Sequence, residues 1–441
     1  MIDKLKLQEI LNSNNPDLIK DIHPMDIIDI INNSNEIDIK NILHNLPDDF
    51  LALILDYASN EDKSDLLELI EKQRHKVVLN EMANDELVDL IDSIDDDLKK
   101  DAVLEMIDEN EDIKSLLSYK QDSAGSLMTN EYINIYDTKT VLKTYQYLQE
   151  ISSDYSEMAY YLYVTDKANH LKGVISLRDL ISSPFDTNIK DITNHNVFSV
   201  HVNTDQEEVA YLFDKYDYIM LPVVDDNNIL VGVISIDDII DVVIEESTED
   251  IHRLAGIDED EKVDGHFIDS IKSRLPWLFV NLMTAFLASS VIASFSNTIQ
   301  TIVVLASINP IIAGIGGNAG NQSMTLIVRS IALKQLNTKN ALKIFLKEVK
   351  VGLTIGLLIG LVLAIFIYLI YQNIYLSIVC ALAIIANLII ATSVGFIIPF
   401  TLHKLKIDPA LASGVFVSAT SDIFGFFIFL SLATLAINHL L

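Results

Sequence analysis

Two stretches of the chain, residues 277–328 and 351–402, contain no Asp, Glu, Lys, Arg or His, and each runs for 52 residues. A helix needs about 20 apolar residues to cross hydrocarbon, so each stretch holds two crossings and a tight return. The returns fall where polarity rises, at "SFSNTIQT" in the first and "YQNIYL" in the second. A further apolar segment follows from about Ala410 to Ile437. The pattern predicts a five-helix α-helical transmembrane domain over residues 276–441.

Ahead of it the periodicity shortens. Residues 1–118 read as brief amphipathic helices such as "DDFLALILDYA", "SDLLELIEKQ" and "NDELVDLID", separated by Asn, Asp and Pro breaks. Helical hairpins stacked into a small solenoid give an all-α N-terminal domain. Residues 122–236 alternate instead, and they repeat. "LYVTDKANHLKGVISLRDLI" recurs as "LPVVDDNNILVGVISIDDII", with Gly173 matching Gly232 at an offset of 59. Each copy reads strand, turn, strand, helix, which is an α/β module. It resembles the tandem cystathionine-β-synthase (CBS) domain pair, a regulatory module that often binds adenine nucleotides. That resemblance implies that the Asp of "GVIS-x-x-D" meets ribose, which is Asp179 in the first copy and Asp238 in the second. It makes Tyr161, Arg178 and Asp179 the candidate contacts for ATP. Residues 237–275 then form a connector that opens with a helix bearing acids at 237, 238, 241, 245, 246, 249 and 250. Like charges at three- and four-residue spacing destabilise a helix, and a bridging cation would relieve them.

Charge sharpens this division. The formal net charge is −32, yet from Trp277 onward there are three acids against eight Lys and Arg. Residues 1–276 hold 60 acids and 23 bases. Phosphate would be repelled by such a surface, so nucleic acid is excluded as a partner and small cations are favoured. The single cysteine, Cys380, lies in an apolar run, so there is neither a disulfide framework nor a thiolate metal site. "MIDKLKLQEILNSNN" lacks the apolar core of a signal peptide. Lys272 and Arg274, then Lys334, Lys339, Lys343 and Lys347, then His403, Lys404 and Lys406 mark three segments on one side of the membrane. By the positive-inside rule that side is cytoplasmic, with the N-terminal part inside and the C-terminus outside.

Within the spans, "NPIIAGIGGNAGNQS" (309–323) brings four glycines, a proline, Asn318, Asn321, Gln322 and Ser323 to membrane depth. Gly314, Gly316 and Gly317 suit close helix packing. The polar cluster suits a surface buried in protein or lining water. The last span opens "DPALASG" (408–414), where Asp408 is placed to cap a helix that begins with Pro409. Asp422 stands fourteen residues later, about 21 Å along the helix, in "FVSATSDIFGFFIFL". An isolated carboxylate at that depth costs a few kcal/mol on insertion scales and marks an ion pathway by default. Ser418 and Gly414 share its face. A symmetric dimer would bring two Asp422 side chains to one axis, where they could accept hydrogen bonds from the retained waters of Mg2+.

"GIGGNAGNQS", "RLPWLF", "DPALASG" leading to Asp422, "EESTEDI…LAG", the CBS pair and the acidic helical N-domain occur in this order. On these grounds the chain resembles the MgtE family of magnesium transport proteins over essentially its whole length. The resemblance implies a homodimeric, Mg2+-selective channel of the bacterial inner membrane, surrounded by membrane lipid and shut when cytosolic Mg2+ glues the N-domain, CBS pair and connecting "plug" helix together. It implies that Asp422 is the pore carboxylate, with Ser418 and Gly414 beside it on the ion path. Gly414 departs from the polar side chains common in the family. For the cytosolic sensor it implies Glu207, Asp217, Asp238, Asp241, Glu246 and Glu249, with Asp85 and Asp89 from the N-domain. A CBS-regulated channel or carrier for another ion is the alternative. An enzyme is not expected, since no His-Glu-x-x-His run occurs and Asp422 has no second mid-span acid beside it.

Overall fold

The computed structural model describes residues 19, 22–94, 96–107, 111–151, 161–258, 261, 263, 265, 267–411 and 413–440. The amphipathic stretch at the N-terminus, residues 1–15, lies outside them. Two compact units divide the chain, Met1–Val243 and Ile244–Leu441. The division falls inside one 20-residue helix, Ile236–Ala255, here called the acidic helix.

In the first unit, short helices succeed one another from Pro24–Asn32 to Glu111–Leu116. Their brevity is written in the caps. Asn35 accepts from the Asp38 amide, Asp96 accepts from the Leu98 amide, and Pro47 fixes the extended residue before Asp48–Tyr57. Apolar stripes three and four residues apart then stack helix on helix through Ile27, Leu51, Leu55, Val78, Leu79, Leu87 and Leu90, all buried.

The repeated segment folds as two three-stranded sheets. One holds β1 (Asn134–Tyr136), β2 (Tyr161–Thr165) and β3 (Leu171–Ser176), and the other β4 (Val200–His201), β5 (Met220–Val224) and β6 (Leu230–Ser235). β1 runs parallel to β2 and β2 antiparallel to β3, with the same pattern in the second sheet. Val164 pairs with Gly173 and Val223 with Gly232, so the offset of 59 seen in sequence is also the offset of the register. His170 bridges to Ile229, one equivalent position to the other.

The second unit is built of long helices. Phe267–Ser294, Ala341–Tyr371, Ile374–Lys404 and Gly414–Leu435 are long and apolar enough to cross a membrane. A further helix, Val304–Ala332, has 29 residues, but Asn309, Asn318, Asn321, Gln322 and its glycines dilute its apolar character. It is called the glycine-rich helix below. Residues of "SFSNTIQT" turn through a short helix at Ser296–Thr301, and "YQNIYL" turns at Gln372 (φ +52°). Gly352, Gly356 and Gly360 recur every fourth residue and let Ala341–Tyr371 lie against Ile374–Lys404. A Cβ at Gly356 would stand 3.0 Å from the Ile385 Cα, and one at Gly352 only 2.3 Å from the Thr392 Oγ1.

The start of the last long helix differs from expectation. It begins at Ser413, four residues beyond Pro409. The reason is local: Asp408 Oδ1 accepts from the Ala410 amide at 2.8 Å and its carbonyl from the Leu411 amide at 3.3 Å. This closes a separate turn before the helix.

Candidate functional site

Asp422 sits halfway along Ser413–Leu435 and is half-buried in the single chain. Among the described residues nothing donates a hydrogen bond to its carboxylate or pairs with its charge. Ser418, one turn earlier, accepts a hydrogen bond from Asn321 Nδ2 of the glycine-rich helix at 3.3 Å. That bond ties the polar cluster of "GNAGNQS" to the helix carrying the carboxylate. The packing beneath it is tight. Asn387, fully buried on Ile374–Lys404, donates to the Ile312 carbonyl at 2.9 Å. A Cβ at Gly316 would meet the Asn387 Nδ2 at 2.1 Å and the Ser421 Oγ at 2.5 Å. One at Gly425 would meet the Asn387 amide at 2.9 Å. Both glycines are therefore required by close approach.

The glycines of the glycine-rich helix split into two groups. Gly316 and Gly320 pack against neighbouring helices, whereas a Cβ at Gly314 or Gly317 would meet nothing within 4 Å. Within the single chain, the close packing expected of Gly314, Gly316 and Gly317 is met at Gly316. Ser307, Gly314, Asn318 and Gln322 are exposed in the single chain. Hydrocarbon tolerates a polar face of this kind only where water or protein covers it.

Gly414 has a different explanation from the one its sequence suggests. A Cβ there would lie 3.0 Å from the Leu254 carbonyl oxygen, at the end of the acidic helix. Glycine lets the two backbones approach. Close by, Arg253 bridges Glu249, one turn earlier, and Asp408. Asp250 has its carboxyl pushed up by burial and by Asp408, with Arg329 and Arg253 opposing. Asp408, read from sequence as a cap alone, is therefore also an anchor for the acidic helix. Glu348 is a buried acid with no role assigned from its sequence position. Its Oε2 accepts from the Ser323 Oγ at 2.8 Å, and Lys347 Nζ lies 3.1 Å from its Oε1.

A second cluster lies wholly within the first unit. Asp85, Glu86 and Asp89 line one side of Asn84–Asp92, Asp56 ends the neighbouring Asp48–Tyr57 helix, and Asp238 and Asp241 open the acidic helix. Burial pushes the Asp56 carboxyl up to about 8, with the Glu86 charge adding to it. Burial first, and Glu86 second, raise Asp85 to about 7. Glu86 is raised to about 7 by burial against the pull of Lys63, and Asp238 to about 7 by burial and then by Asp85. Asp89 is raised by burial, with Asp241 among its repelling neighbours. Lys63 is the countercharge: 1% exposed, it pairs with Glu86, lies 3.8 Å from Asp89 and donates to the Asn60 Oδ1 at 2.8 Å. One oxygen each of Asp56 and Asp85 is buried without a hydrogen-bond partner. Asp56, Glu86 and Lys63 were not among the residues singled out from sequence; a lone lysine amid acidic helices was the available signal.

Among the described residues no three His, Cys, Asp or Glu side chains converge closely enough to hold an ion between them. Orphaned carboxylate oxygens spread along facing helices instead suit a hydrated dication, which keeps its waters and is held by one or two carboxylates. Glu207 opens and Asp217 (φ +53°) closes the same helix, Gln206–Tyr216, so they face its opposite ends. Glu246 and Glu249 belong to the second unit. Of the nucleotide candidates, Tyr161 begins β2, and Arg178 and Asp179 lie in the helix that follows β3. Asp179 accepts from the Ser176 Oγ at 2.6 Å, and Asp238 makes the equivalent contact with Ser235. Both close the start of their helices, which is structural work either way.

The raised carboxyls carry a pH dependence. Each holds its proton more tightly folded than unfolded, so its stabilising share is complete below about pH 4 and is lost as pH rises through about 7 to 8. In Mg2+-free buffer, the melting temperature of the unit bearing the cluster is expected to fall between pH 5 and pH 8. Asp56→Asn with Asp85→Asn should flatten that slope; an unchanged slope would exclude the cluster as its source.

Comparison with known proteins gives the wider setting. Residues 309–432 match the family model of the MgtE divalent cation transporter, residues 22–122 the MgtE intracellular N domain and residues 189–245 the CBS domain. The magnesium transporter MgtE of Thermus thermophilus is 33% identical over 444 residues, covering 98% of each chain. The protein of that name in Bacillus subtilis is 33% identical over 436 residues, covering 96% of each. A crystal structure of the cytosolic domain of the Mg2+ channel MgtE in complex with ATP aligns with 54% of this chain and 99% of its own, at 33% identity and a TM-score of 0.51. The soluble part of a magnesium transporter aligns with 55% of this chain and 96% of its own, at 35% identity and a TM-score of 0.50. With relatives matched along nearly their full length, and three family models in order along it, the chain belongs to the MgtE family of divalent cation transporters.

Proposed function

We propose that the chain is a Mg2+-selective channel or transporter of the cytoplasmic membrane, acting as a homodimer and closed by cytosolic Mg2+. The observation that carries this reading is the unpartnered carboxylate of Asp422, beside a helix whose polar face is uncovered in the single chain. On this reading the glycine-rich helix is the fifth span. The three lysine-bearing segments are cytoplasmic and the C-terminus is outside. Two symmetry-related Asp422 groups, with Ser418 above them, attract the dication through its water shell, and no bond is made or broken. Gly414 lines the path only through its backbone.

Closure follows from the acids of the soluble part. Asp85, Asp89, Asp238 and Asp241, joined by Asp56 and Glu86, repel one another when Mg2+ is scarce. Glu207, Asp217, Glu246 and Glu249 act across surfaces that meet in the dimer, and the acidic helix is the plug. An ion shifts the gate only by binding the closed form more tightly than the open one. The contact of the Leu254 carbonyl with Gly414, and the Arg253 bridge to Asp408, are the mechanical link from that helix to the Asp422 helix. ATP is a regulatory ligand of the CBS pair at Tyr161, Arg178 and Asp179, supported by the ATP complex of the related cytosolic domain.

Purified protein in liposomes loaded with a Mg2+-sensitive dye is expected to take up Mg2+ and to stop as internal Mg2+ reaches the millimolar range. Glu246→Ala with Glu249→Ala should keep uptake active at internal concentrations that silence the parent. Absence of uptake by the parent would remove the transport reading, and unchanged inhibition in the double variant would remove the sensor.

A further inference from the structure

Lys343, Lys347 and Lys350 recur at spacings of four and three in the first turns of the Ala341–Tyr371 helix, a stripe about 10 Å long, and Lys339 stands in the turn just before it on the same groove. All four are exposed. Lys347 leans on Glu348; Lys339, Lys343 and Lys350 have no acidic partner among the described residues. The same face continues along the span as Leu357 (54% exposed), Leu361 (62%) and Ile365 (51%). The opposite face is the packed one, with Glu348, Gly352, Gly356 and Leu363 buried. Acid and base are thus sorted around a single helix, the carboxylate inward and the ammonium groups outward. Together with Leu346 and Ile355, the lysines line an open groove of about 910 Å³.

We propose that this stripe binds the headgroup of an anionic phospholipid, whose acyl chains lie along Leu357, Leu361 and Ile365. The geometry matches a lipid's own order, with charge at the boundary and hydrocarbon beneath. Residues 351–371 are uncharged for the length of one crossing, so the lysines stand at headgroup level. Juxtamembrane lysines are attracted to anionic lipid by about 1 kcal/mol each, and the positive end of a 31-residue helix adds to their field. A second copy of the chain is the poorer occupant, because a two-fold contact here would set lysines against lysines. The inference rests only on this helix being a membrane span and is independent of which ion is carried.

The test is native mass spectrometry of the full-length protein in detergent, titrated with phosphatidylglycerol or phosphatidylcholine. The parent is expected to retain phosphatidylglycerol preferentially, and less so as salt rises. Replacing Lys339→Gln, Lys343→Gln and Lys350→Gln should weaken that retention by roughly fivefold per lysine. Lys347 is kept so that Glu348 stays paired. The matching Lys→Arg triple variant should retain the preference, which separates lost charge from lost fold. Equal retention of both lipids by the parent, an unaltered preference in the Gln triple variant, or displacement of the lipid by millimolar inorganic phosphate would each overturn the proposal.

Discussion

Replacing Asp422 by alanine is expected to abolish Mg2+ uptake while leaving the protein folded. A hydrated dication about 5 Å from a carboxylate, with one water between, is attracted by about 6–7 kcal/mol at an effective dielectric constant of 20. Two such groups face the ion in the proposed dimer. Recovering even half of one interaction from neighbouring dipoles would still leave a deficit of roughly 3 kcal/mol, or about two orders of magnitude in rate. Folding should not suffer, because Asp422 has no hydrogen-bond or ion-pair partner among the described residues to leave stranded. Removing a lone charge from the membrane interior should, if anything, stabilise the helix bundle. Asp422→Asn keeps the shape, removes the charge and should behave like alanine. Asp422→Glu keeps the charge, displaces it by one methylene and should retain part of the activity. Dye-reported uptake in liposomes, with melting temperature as the control, gives the answer. Uptake within twofold of the parent in the Ala and Asn variants would show that the ion does not depend on this carboxylate.

Four long apolar helices and the two turns were legible in the sequence because hydrocarbon imposes an all-or-nothing rule on charge. Two uncharged blocks of 52 residues leave little room for another arrangement. The glycine-rich helix reads less clearly, since the residues that give it a polar face also erase its apolar signature. The repeat was legible because strands pair by register, and the register carries the same offset as the sequence. Asp85, Asp89, Asp238 and Asp241 could be named, but their company could not. Periodicity says which face of a helix is buried, not which faces of distant helices meet. Asp56, Glu86 and Lys63 each look like part of a solvated surface until the fold sets Lys63 and Asp56 beside Glu86, 23 and 30 positions away, and Glu86 beside Asp238, 152 positions away. Gly414 and Asp408 failed in the same way. Their meaning depends on the end of the acidic helix, 155 residues upstream of Asp408. Asn387 lies in an apolar run and only its contacts with Gly316 and Gly425 disclose its position at the crossing of three helices.

Lys63 makes the strongest prediction for the soluble part. Its side chain is 1% exposed, and its ammonium group pairs with Glu86 and faces Asp89, with Asp56 also within its field. Removing one member of a buried ion pair typically costs 3–5 kcal/mol, because the other charge is left uncompensated. Glu86 and Asp89 keep 28% and 39% of their side-chain exposure, so water recovers part of this and about 3 kcal/mol is the better figure. Lys63→Met preserves most of the volume and isolates the charge. In Mg2+-free buffer it should lower the melting temperature of the unit by roughly 10 °C. Millimolar Mg2+ should then restore more stability to the variant than it adds to the parent, since the ion has taken over the work of the missing ammonium group. The two effects separate two questions. A melting temperature unchanged without Mg2+ would mean that Lys63 is not the countercharge that the fold makes it. A drop that Mg2+ fails to recover would mean that the acids around it are a structural knot, and that the ion proposed to close the gate binds elsewhere.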